Sequence, residues 1–383
     1  MATLFWLCFA VVAYVYFGYP LLLKSGLLGR RKIWRRGRAQ PLLSVIVAAH
    51  NEESVIETKI LNLLASDYPG ELLEILVGSD GSSDRTEDIV SKYRSSGVGL
   101  ISFPQQQGKS AMQNGLVAAA SGSILVFTDA DCTFAAQALR HLVENFADSR
   151  IGVVTARPRY QNELETSTTQ NESLYLRYET WLRAKESDRG LLAMASGSLF
   201  AMRRDLWRPL NPHFGDDFAL PLQAALGRMH TVLDPRAVAH TRLTQDSPNS
   251  MLTLKVRIVS KDLRALLAYP ALLNPMRYGA VSVGLWSHKL LRWLVPYFLL
   301  AMFVSCVFLG RAPFFGALLF LQLVFYSAAF AGFARRERAS AFPWSIPMSF
   351  CVVNAAALLG ILKCLSGRTS GRWKTVRGQS AAL

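Results

Sequence analysis

Two carboxylates stand two residues apart directly behind a short apolar run, in the stretch VFTDADC from Val126 to Cys132. Alternate residues at the end of an extended strand point the same way, so Asp129 and Asp131 can reach one ligand together. Mg²⁺ and Mn²⁺ prefer oxygen ligands and commonly bind carboxylates together with substrate phosphates. The pair therefore indicates a Mg²⁺ or Mn²⁺ site that bridges a diphosphate. Capping of the following helix by Asp131 or Thr133 would also account for these residues.

A second acid pair, Asp216 and Asp217, opens the segment HFGDDFALPLQAALG, which is predicted to begin a helix. Transfer of a sugar to a hydroxyl requires a base that takes the hydroxyl proton as positive charge develops at the anomeric carbon. Asp217 is the candidate general base. N-capping of the helix by either acid is the alternative interpretation.

These acids belong to a segment, from about residue 40 to 250, with the pattern of a globular α/β domain. Its first half contains four continuous apolar runs separated by helical spacing, which predicts a mostly parallel sheet covered on both faces. The predicted strands are residues 42–49, 73–79, 98–103 and 123–129. Ligands bind at the carboxyl ends of such strands. A polar segment, called here a polar tip, follows each predicted strand and falls at that edge. The four polar tips are HNEE, SDGSSD, QQQGKS and TDAD.

The polar tips lack the glycine patterns of common nucleotide sites. Neither GxGxxG nor GxxxxGK[ST] occurs at this edge, so dinucleotide-binding and P-loop functions have no motif support. Lys109, in the tip QGKS, is a candidate contact to a phosphate or a base. A solvated lysine in the first turn of a helix is the alternative.

Four uncharged apolar runs are each about long enough to cross a bilayer as a helix. They are residues 1–23, 293–310, 312–334 and 341–362. Between Lys24 and Arg38 the chain carries seven Lys and Arg and no acid, which predicts that this end of the first helix is cytoplasmic. The net charge of +15 is then explained by basic residues that meet membrane lipids, and not by nucleic-acid binding.

The remaining segments raise questions of placement at the membrane. The stretch MLTLKVRIVSKDLRALL spaces apolar residues around four basic ones and predicts an amphipathic helix in the membrane interface. The basic tail from Lys363 to Arg377 and the run RRER at 335–338 both favour the cytoplasm. Both are satisfied if the last segment, interrupted by Pro343 and Pro347, is re-entrant.

Six motifs occur in a characteristic order: SVIVAAHNEE, EILVGSDGSSDRT, GKSAMQNG, VFTDADC, ASGSLFAMRR and GDDFALPL. In these motifs the chain resembles family 2 glycosyltransferases. More narrowly, it is similar to the membrane-embedded bacterial synthases of exopolysaccharide, which are related to cellulose, chitin and hyaluronan synthases. The motifs span about residues 42–267. The resemblance implies a GT-A nucleotide-sugar fold, a UDP-sugar donor and Mg²⁺ or Mn²⁺ as cofactor.

The resemblance also implies roles for individual residues. The donor would be bound by Ala49, His50, Asn51, Glu52, Asp80, Lys109, Asp129 and Arg257. Asp131 would be the principal metal ligand with Asp129 beside it, Asp217 the catalytic base, and Gly197, Ser198 and Asp216 the acceptor contacts. Processive relatives carry QxxRW, of which only Arg257 is kept, since Leu254 and Ile258 replace Gln and Trp. This loss argues against long-chain processivity, whereas Arg257 can bind the diphosphate by a bidentate contact.

The expected organisation places a catalytic domain at the cytoplasmic face of the bacterial inner membrane. The predicted divisions are an anchor (1–25), a basic linker (26–40), the GT-A domain (41–250), interfacial helices (251–292), about three membrane helices (293–364) and a basic tail (365–383). The expected activity is inverting, metal-dependent extension of an exopolysaccharide. Single-sugar transfer to a polyprenyl phosphate or another lipid-linked acceptor, and an inactive scaffold that binds nucleotide sugar or a partner synthase, are the alternatives. A homo-oligomer or an export partner is left open.

Overall fold

The computed structural model describes residues 1–29, 31–162, 167–243, 247–334 and 344–367. The first helix, α1, runs over Ala2–Ser25 with a π-helical turn at Tyr14–Gly18. The α/β domain then contains the strands β1 Leu43–Ala49, β2 Leu73–Asp80, β3 Val98–Phe103, β4 Ile124–Asp129, β5 Thr133–Phe134, β6 Ile151–Tyr160, β7 Phe200–Arg203 and β8 His230–Thr241. Its helices are α2 Ile56–Leu64, α3 Thr86–Ser91, α4 Lys109–Ala119, α5 Ala138–Glu144, α6 Ser167–Arg189 and α7 Asp216–Leu226.

Among the described residues these strands form one eight-stranded sheet in the order β3-β2-β1-β4-β7-β6-β8-β5. The four predicted strands, β1 to β4, are parallel, which confirms the α/β fold class. Beyond β4 the sheet is mixed, because β7 lies antiparallel to both β4 and β6, while β8 is parallel to β6. The sheet therefore continues past the predicted parallel half through the reversed strand β7 and ends in a second reversed strand, β5, which is antiparallel to β8.

Strand β1 is buried on both faces, as its continuous apolar run predicts. Successive side chains of a strand point to opposite faces. Val45 and Val47 accordingly pack in one core layer with Ile60 of α2, whereas Ile46 packs in the other with Met112 of α4. Helices on both faces thus hold the carboxyl ends of β1, β2 and β4 open at one edge.

After the sheet, the helix α8 (Pro248–Ala268) begins with a capping box formed by Ser247 and Ser250. A one-turn helix at Pro275–Tyr278 follows, and then come α9 Ala280–Leu309, α10 Pro313–Ala334 and α11 Ser345–Leu365. In the described part of the chain, α1, α9, α10 and α11 are long and apolar enough to span a membrane. The four predicted apolar runs are thus confirmed as helices, although α9 begins upstream of residue 293.

Helix α11 continues unbroken through Pro347, which lies in its first turn where proline is tolerated. Pro343, the run at 335–338 and the tail beyond residue 367 lie outside the described residues. The re-entrant arrangement therefore stays a prediction. Helix α11 packs closely on α8, since a Cβ at Gly360 would come within 2.8 Å of the Val259 side chain.

The basic linker after α1 lies extended along the α/β domain. The backbone N–H of Lys32 donates to Asp188 O at 2.7 Å, and that of Gly37 donates to Glu144 O at 2.9 Å. The indole N–H of Trp34 donates to Ser187 O at 3.3 Å. The linker is thus tied to the domain by its backbone, which its composition alone does not indicate.

A buried polar chain joins α1, α6 and α9. The Tyr19 hydroxyl donates to Glu186 Oε1 at 2.6 Å, and His288 Nδ1 lies 2.8 Å from the same oxygen. His288 Nε2 lies 2.6 Å from Glu179 Oε1, and Arg292 donates to Glu179 Oε2 at 2.9 Å. Two apolar helices are therefore attached to the α/β domain by hydrogen bonds to two carboxylates of α6.

Candidate functional site

Asp129 ends β4, and Asp131 lies in the turn that follows it. The next element is the strand β5, and the next helix, α5, begins only at Ala138 with Gln137 as its N-cap. The helix-capping interpretation, which invoked Asp131 or Thr133, is therefore wrong. The two acids stand instead on an open turn at the ligand edge of the sheet.

The chemistry of this turn fits a hard divalent cation. One ligand atom each from Asp129, Asp131 and Cys132 lie within 4.8 Å of one another. The Cys132 thiol donates to Asp131 Oδ1 at 3.5 Å. Mg²⁺ and Mn²⁺ prefer oxygen over sulfur ligands, so the carboxylates of Asp129 and Asp131 are the donors that fit them.

Lys59 of α2, which sequence reasoning missed, binds this turn from the buried side of the sheet edge. Its fully buried ammonium donates to Thr128 Oγ1 at 2.6 Å and to Cys132 O at 2.8 Å. Thr128 Oγ1 donates in turn to Ser198 O at 2.6 Å. Lys59 occupies the apolar face of α2, three residues after Ile56, and a lysine in such a stripe was the signal that could have found it.

Lys109, the first residue of α4, forms ion pairs with acids from both candidate motifs. Its Nζ lies 2.6 Å from Asp129 Oδ1 and 3.1 Å from Asp216 Oδ2. The solvated-lysine interpretation is therefore wrong. Burial alone would lower the pKa of Lys109, but Asp129 and Asp216 outweigh it and raise that pKa above its usual value. Lys109 is a fixed cation at the mouth of the site.

Asp80, the last residue of β2, shapes the loop that leads to Lys109. Its two carboxylate oxygens accept the backbone N–H groups of Gln107 at 2.7 Å and Gly108 at 2.8 Å. Gly108 has φ +103°, which favours glycine. His50 Nδ1 lies 2.8 Å from the Asp80 carbonyl oxygen, so the predicted nucleotide residues of the first two tips are in contact.

The turn after β1 is fixed by hydrogen bonds to the turn after β2. Asn51 adopts φ +56°, and its side-chain oxygen accepts the Ser83 N–H at 2.8 Å. The N–H of Glu52 donates to Thr86 Oγ1 at 2.8 Å, and Ala49 is buried at the end of β1. The uridine contacts assigned to these residues stay a prediction, which their common position at the sheet edge favours.

Asp216 and Asp217 occupy the first turn of α7, whose N-cap is Gly215. The N-capping interpretation is therefore wrong for both. Asp216 accepts a hydrogen bond from Gln113 Nε2 at 2.7 Å and pairs with Lys109. Burial alone would raise the pKa of Asp216, but the Lys109 charge and these hydrogen bonds together lower it. Burial, followed by the charges of Asp216 and Asp262, raises the pKa of Asp217 to about 7. Divergent pKa values of neighbouring acids are typical of a site that needs one ionised group and one proton acceptor.

The turn at residues 196–198 lies between the two acid motifs. A Cβ at Gly197 would lie 3.3 Å from Asp129 Oδ2 and 3.8 Å from Asp217 Oδ2. Ser196 N–H donates to Thr155 Oγ1 at 2.9 Å, and the Ser196 and Ser198 hydroxyls lie 2.8 Å apart. Glycine thus leaves open the space between the predicted metal ligand and the predicted base.

Helix α8 adds charged groups on the other side of this space. Arg257 is exposed and is electrostatically coupled to Asp129 and Asp217. Asp262, which sequence reasoning missed, is buried and accepts a hydrogen bond from Lys289 Nζ at 3.2 Å. A Cβ at Gly215 would lie 3.2 Å from Asp217 Oδ1 and 3.3 Å from Asp262 Oδ1, so the two carboxylates face one another. The sequence signal that could have identified Asp262 is that it is the single acid in the basic helix α8.

The sequence has identifiable relatives. Residues 44–209 match the family described as glycosyl transferase family 2. A beta-monoglucosyldiacylglycerol synthase of Trichormus variabilis is 29% identical over 168 residues, which are 43% of this chain and 36% of that protein. A poly-beta-1,6-N-acetyl-D-glucosamine synthase of Staphylococcus aureus is 31% identical over 123 residues, 32% of this chain and 29% of that protein. The chain thus spans well under half the length of these relatives.

The fold has a solved counterpart over nearly its whole length. The mannosyltransferase PcManGT of Pyrobaculum calidifontis, solved with GDP-Man and Mn²⁺, superimposes with a TM-score of 0.73 at 22% identity. The match covers 95% of this chain and 99% of the mannosyltransferase. Residues 44–209 thus match a family 2 glycosyltransferase domain, and the chain has a GT-A fold flanked by apolar helices.

Proposed function

We propose that the protein transfers one sugar from a UDP-sugar to an acceptor hydroxyl, with inversion and with Mg²⁺ or Mn²⁺ as cofactor. The observation that carries this proposal is the position of Gly197 between the two acids. A Cβ added at Gly197 would lie within 4 Å of a carboxylate oxygen of both Asp129 and Asp217. A sugar in that gap would have its diphosphate on the side of Asp129 and Asp131. Its opposite face would be turned to Asp217.

The chain's own residues divide the work between donor and acceptor. Asp129 and Asp131 would hold the metal ion, which when bound supplies positive charge to the leaving diphosphate. Lys109 brings a cation held by an ion pair to Asp129, and Arg257 brings an exposed cation whose charge acts on both Asp129 and Asp217. Asp217 takes the proton of the acceptor hydroxyl while the acceptor oxygen bonds to the anomeric carbon and the bond to the diphosphate breaks. Attack from the face opposite the leaving group inverts the anomeric centre.

A membrane-bound acceptor is supported by the position of α8. This helix carries Arg257 and Asp262 at the site and packs against α11, one of the helices able to span a membrane. Leu254 and Ile258 stand where processive synthases carry Gln and Trp, which favours single addition to a lipid-linked acceptor. The proposed location is the cytoplasmic face of the bacterial inner membrane. Extension of an exopolysaccharide is the second candidate, favoured by the resemblance to poly-N-acetylglucosamine synthases.

The test uses the full-length protein in detergent with a panel of labelled UDP-sugars, membrane-lipid extract and Mn²⁺. We expect one UDP-sugar to label a lipid-extractable product that carries one added sugar. Label in a product of high mass would replace single addition by polymer synthesis. If no sugar nucleotide is consumed with any acceptor, the protein is not the enzyme proposed.

A further inference from the structure

A cavity of about 300 Å³ lies beside the site, between α6, α8 and the apolar helices α9 and α11. Asp262 of α8, Arg183 of α6 and Lys289 of α9 are in its wall. Of the sequence positions compared with the family, only Leu254 and Ile258, aligned with the Gln and Trp of QxxRW, are in its wall. The cavity adjoins the donor site through Asp262.

The wall of the cavity is lined by charged side chains, most of which form ion pairs. Its cations are Arg183, Arg242, Lys255, Lys289 and Arg292, and its carboxylates are Glu172, Glu179 and Asp262. Lys255 pairs with Glu172 at 2.9 Å, Arg292 with Glu179 at 2.9 Å and Lys289 with Asp262 at 3.2 Å. Each of these carboxylates is thus paired with a cation other than Arg183, so a bound anion would complement the Arg183 guanidinium.

One cation of the wall is also short of a hydrogen-bond acceptor. Arg183 lies 3.7 Å from Glu179 Oε1, too far for a hydrogen bond, and its Nε is buried without a partner. Its Nη1 reaches only the Ala195 carbonyl oxygen, at 3.4 Å. A guanidinium binds carboxylate and phosphate oxygens in preference to other partners because its donors form a rigid fork. Arg183 lines the cavity, so an anion there would lie beside a guanidinium that has no carboxylate within hydrogen-bond distance among the described residues.

The lining also contains apolar residues from the helices that could lie in the membrane or pack on them. These are Leu254 and Ile258 of α8, Trp293 of α9, and Val353 and Ala357 of α11. A cavity lined by both charged and apolar side chains fits a molecule with an anionic head and a hydrocarbon tail.

Asp262 brings the wall of the cavity close to the predicted base. Asp262 is in its wall, and the Asp262 and Asp217 carboxylates face one another across Gly215. An anionic head group bound by the cations would thus lie next to the proton acceptor. A base is needed only if the nucleophile is a hydroxyl, because a phosphate oxygen is already ionised at neutral pH.

We propose that this cavity binds the phosphate of a membrane lipid whose head group also bears a free hydroxyl, and presents that hydroxyl to Asp217. The inference rests on the proposed function and specifies its acceptor. The hydroxyl oxygen bonds to the anomeric carbon, its proton passes to Asp217, and the nucleoside diphosphate leaves with the electrons of the broken bond. A neutral diacylglycerol lacks the phosphate, and a simple polyprenyl phosphate lacks the hydroxyl.

The test compares acceptors presented to the full-length protein in maltoside micelles with the labelled donor. Phosphatidylinositol and a polyprenyl-diphosphate-linked sugar carry both groups, whereas diacylglycerol and polyprenyl phosphate each lack one. We expect label in at least one of the first two and in neither of the others. Equal or better transfer to diacylglycerol, or to polyprenyl phosphate, would overturn the inference while leaving the proposed function intact. No consumption of donor with any lipid or saccharide acceptor would instead overturn the proposed function.

A matched pair of variants tests the cavity itself. Lys255→Gln removes one wall cation, and Arg277→Gln removes an exposed arginine outside the cavity. We expect Lys255→Gln to raise the KM for the lipid roughly 10- to 100-fold, the effect of losing a hydrogen bond to a charged group, with the donor KM unchanged. Lys255→Arg should restore most of the affinity. A Lys255→Gln enzyme whose lipid KM matches that of Arg277→Gln would refute the site.

Competition in the unmodified protein gives a reading that does not depend on the folding of a variant. With phosphatidylinositol as acceptor, its soluble head glycerophosphoinositol should compete with the lipid but not with the donor, whereas inositol at the same concentration should not compete. With the polyprenyl-diphosphate-linked sugar as acceptor, the corresponding sugar phosphate and free sugar take these two places. Inhibition by inorganic phosphate is measured as well, because phosphate alone lacks the rest of the lipid head group. The comparison shows whether the cavity recognises the whole head group or only a phosphate. Inhibition by inorganic phosphate at lower concentration than by glycerophosphoinositol would identify a free-phosphate site and overturn the proposal.

Discussion

The Lys109 ammonium and the Asp129 carboxylate form an ion pair at the mouth of the candidate site, with Nζ 2.6 Å from Oδ1. The same ammonium reaches Asp216 at 3.1 Å, so one cation joins the end of β4 to the start of α7. Lys109 therefore holds the motif VFTDADC, which contains Asp129, at a fixed distance from the motif GDDFALPL, which contains Asp216.

Lys109→Met is expected to weaken donor binding. The substitution removes a cation from the diphosphate side and leaves Asp129 and Asp216 to repel each other and the donor. Loss of a charged hydrogen bond predicts a UDP affinity lower by roughly 10- to 100-fold. Isothermal titration with UDP and Mn²⁺ measures it, with the exposed Lys92→Met as control. Equal affinity in the two variants would exclude Lys109 from the donor site.

Asp217→Asn should abolish sugar transfer and leave UDP binding nearly unchanged. The amide keeps the shape of the carboxylate but cannot accept the hydroxyl proton, and a general base contributes about 10²- to 10⁴-fold to rate. Turnover with saturating donor and UDP titration separate the two effects. Asp205→Asn, at an exposed position, is the control. Turnover of Asp217→Asn at the level of that control would rule out the base assignment.

The rate should rise with pH through about 7. Burial and the nearby acids raise the pKa of Asp217 to about 7, so the carboxylate that accepts the proton is populated above that pH and lost below it. Asp262→Asn removes one of the charges that raise this pKa, and should move the acidic limb of the kcat/KM profile to lower pH. An unchanged limb in Asp262→Asn would show that Asp262 does not act on the base.

Asp131→Ala should remove the metal dependence of UDP binding. Asp131 is the exposed member of the carboxylate pair and accepts a contact only from the Cys132 thiol among the described hydrogen bonds. UDP titrations with and without Mn²⁺ should give a large difference in the unmodified protein and almost none in the variant. Retention of the full Mn²⁺ effect would count against Asp131 as a ligand.

Lys59→Met should destabilise the domain while preserving its apolar packing. The substitution leaves Thr128 and the Cys132 carbonyl without their buried donor, which typically costs about 1–3 kcal/mol per group. Thermal unfolding of the detergent-solubilised protein should show a lower Tm than for Lys92→Met. The metal effect on UDP binding should weaken as well, because the turn that bears Asp131 is no longer held from below. Unchanged Tm would mean that the Lys59 hydrogen bonds contribute little.

The parts of this structure that sequence reasoning found are those with a local signal. The continuous apolar runs of β1 to β4 and the uncharged helices follow from composition over a short window. The strands β5 and β7, of two and four residues, are too short to produce such a pattern. Residue types at the polar tips likewise indicated a metal and phosphate site before any geometry was known.

The missed residues depend on contacts between distant segments. Lys59 and Thr128 are separated by 69 positions, and Asp262 meets Lys289 only because α9 returns to α8. The mistaken capping interpretations have the same origin. A motif shows that acids follow a strand, but not whether a strand or a helix comes next. For Lys109, only the folded chain shows that two carboxylates surround it.

The hydrogen-bonded chain from Tyr19 through Glu186, His288 and Glu179 to Arg292 makes the outer helices part of the enzyme's interior. A shortened chain without α1 would leave Glu186 buried and one donor short, and a chain without α9 would also lose one wall of the lipid cavity. The α/β domain is consequently complete only when α1 and α9 pack against α6. A truncated α/β domain alone is therefore expected to be less stable than the full chain in detergent or in a bilayer.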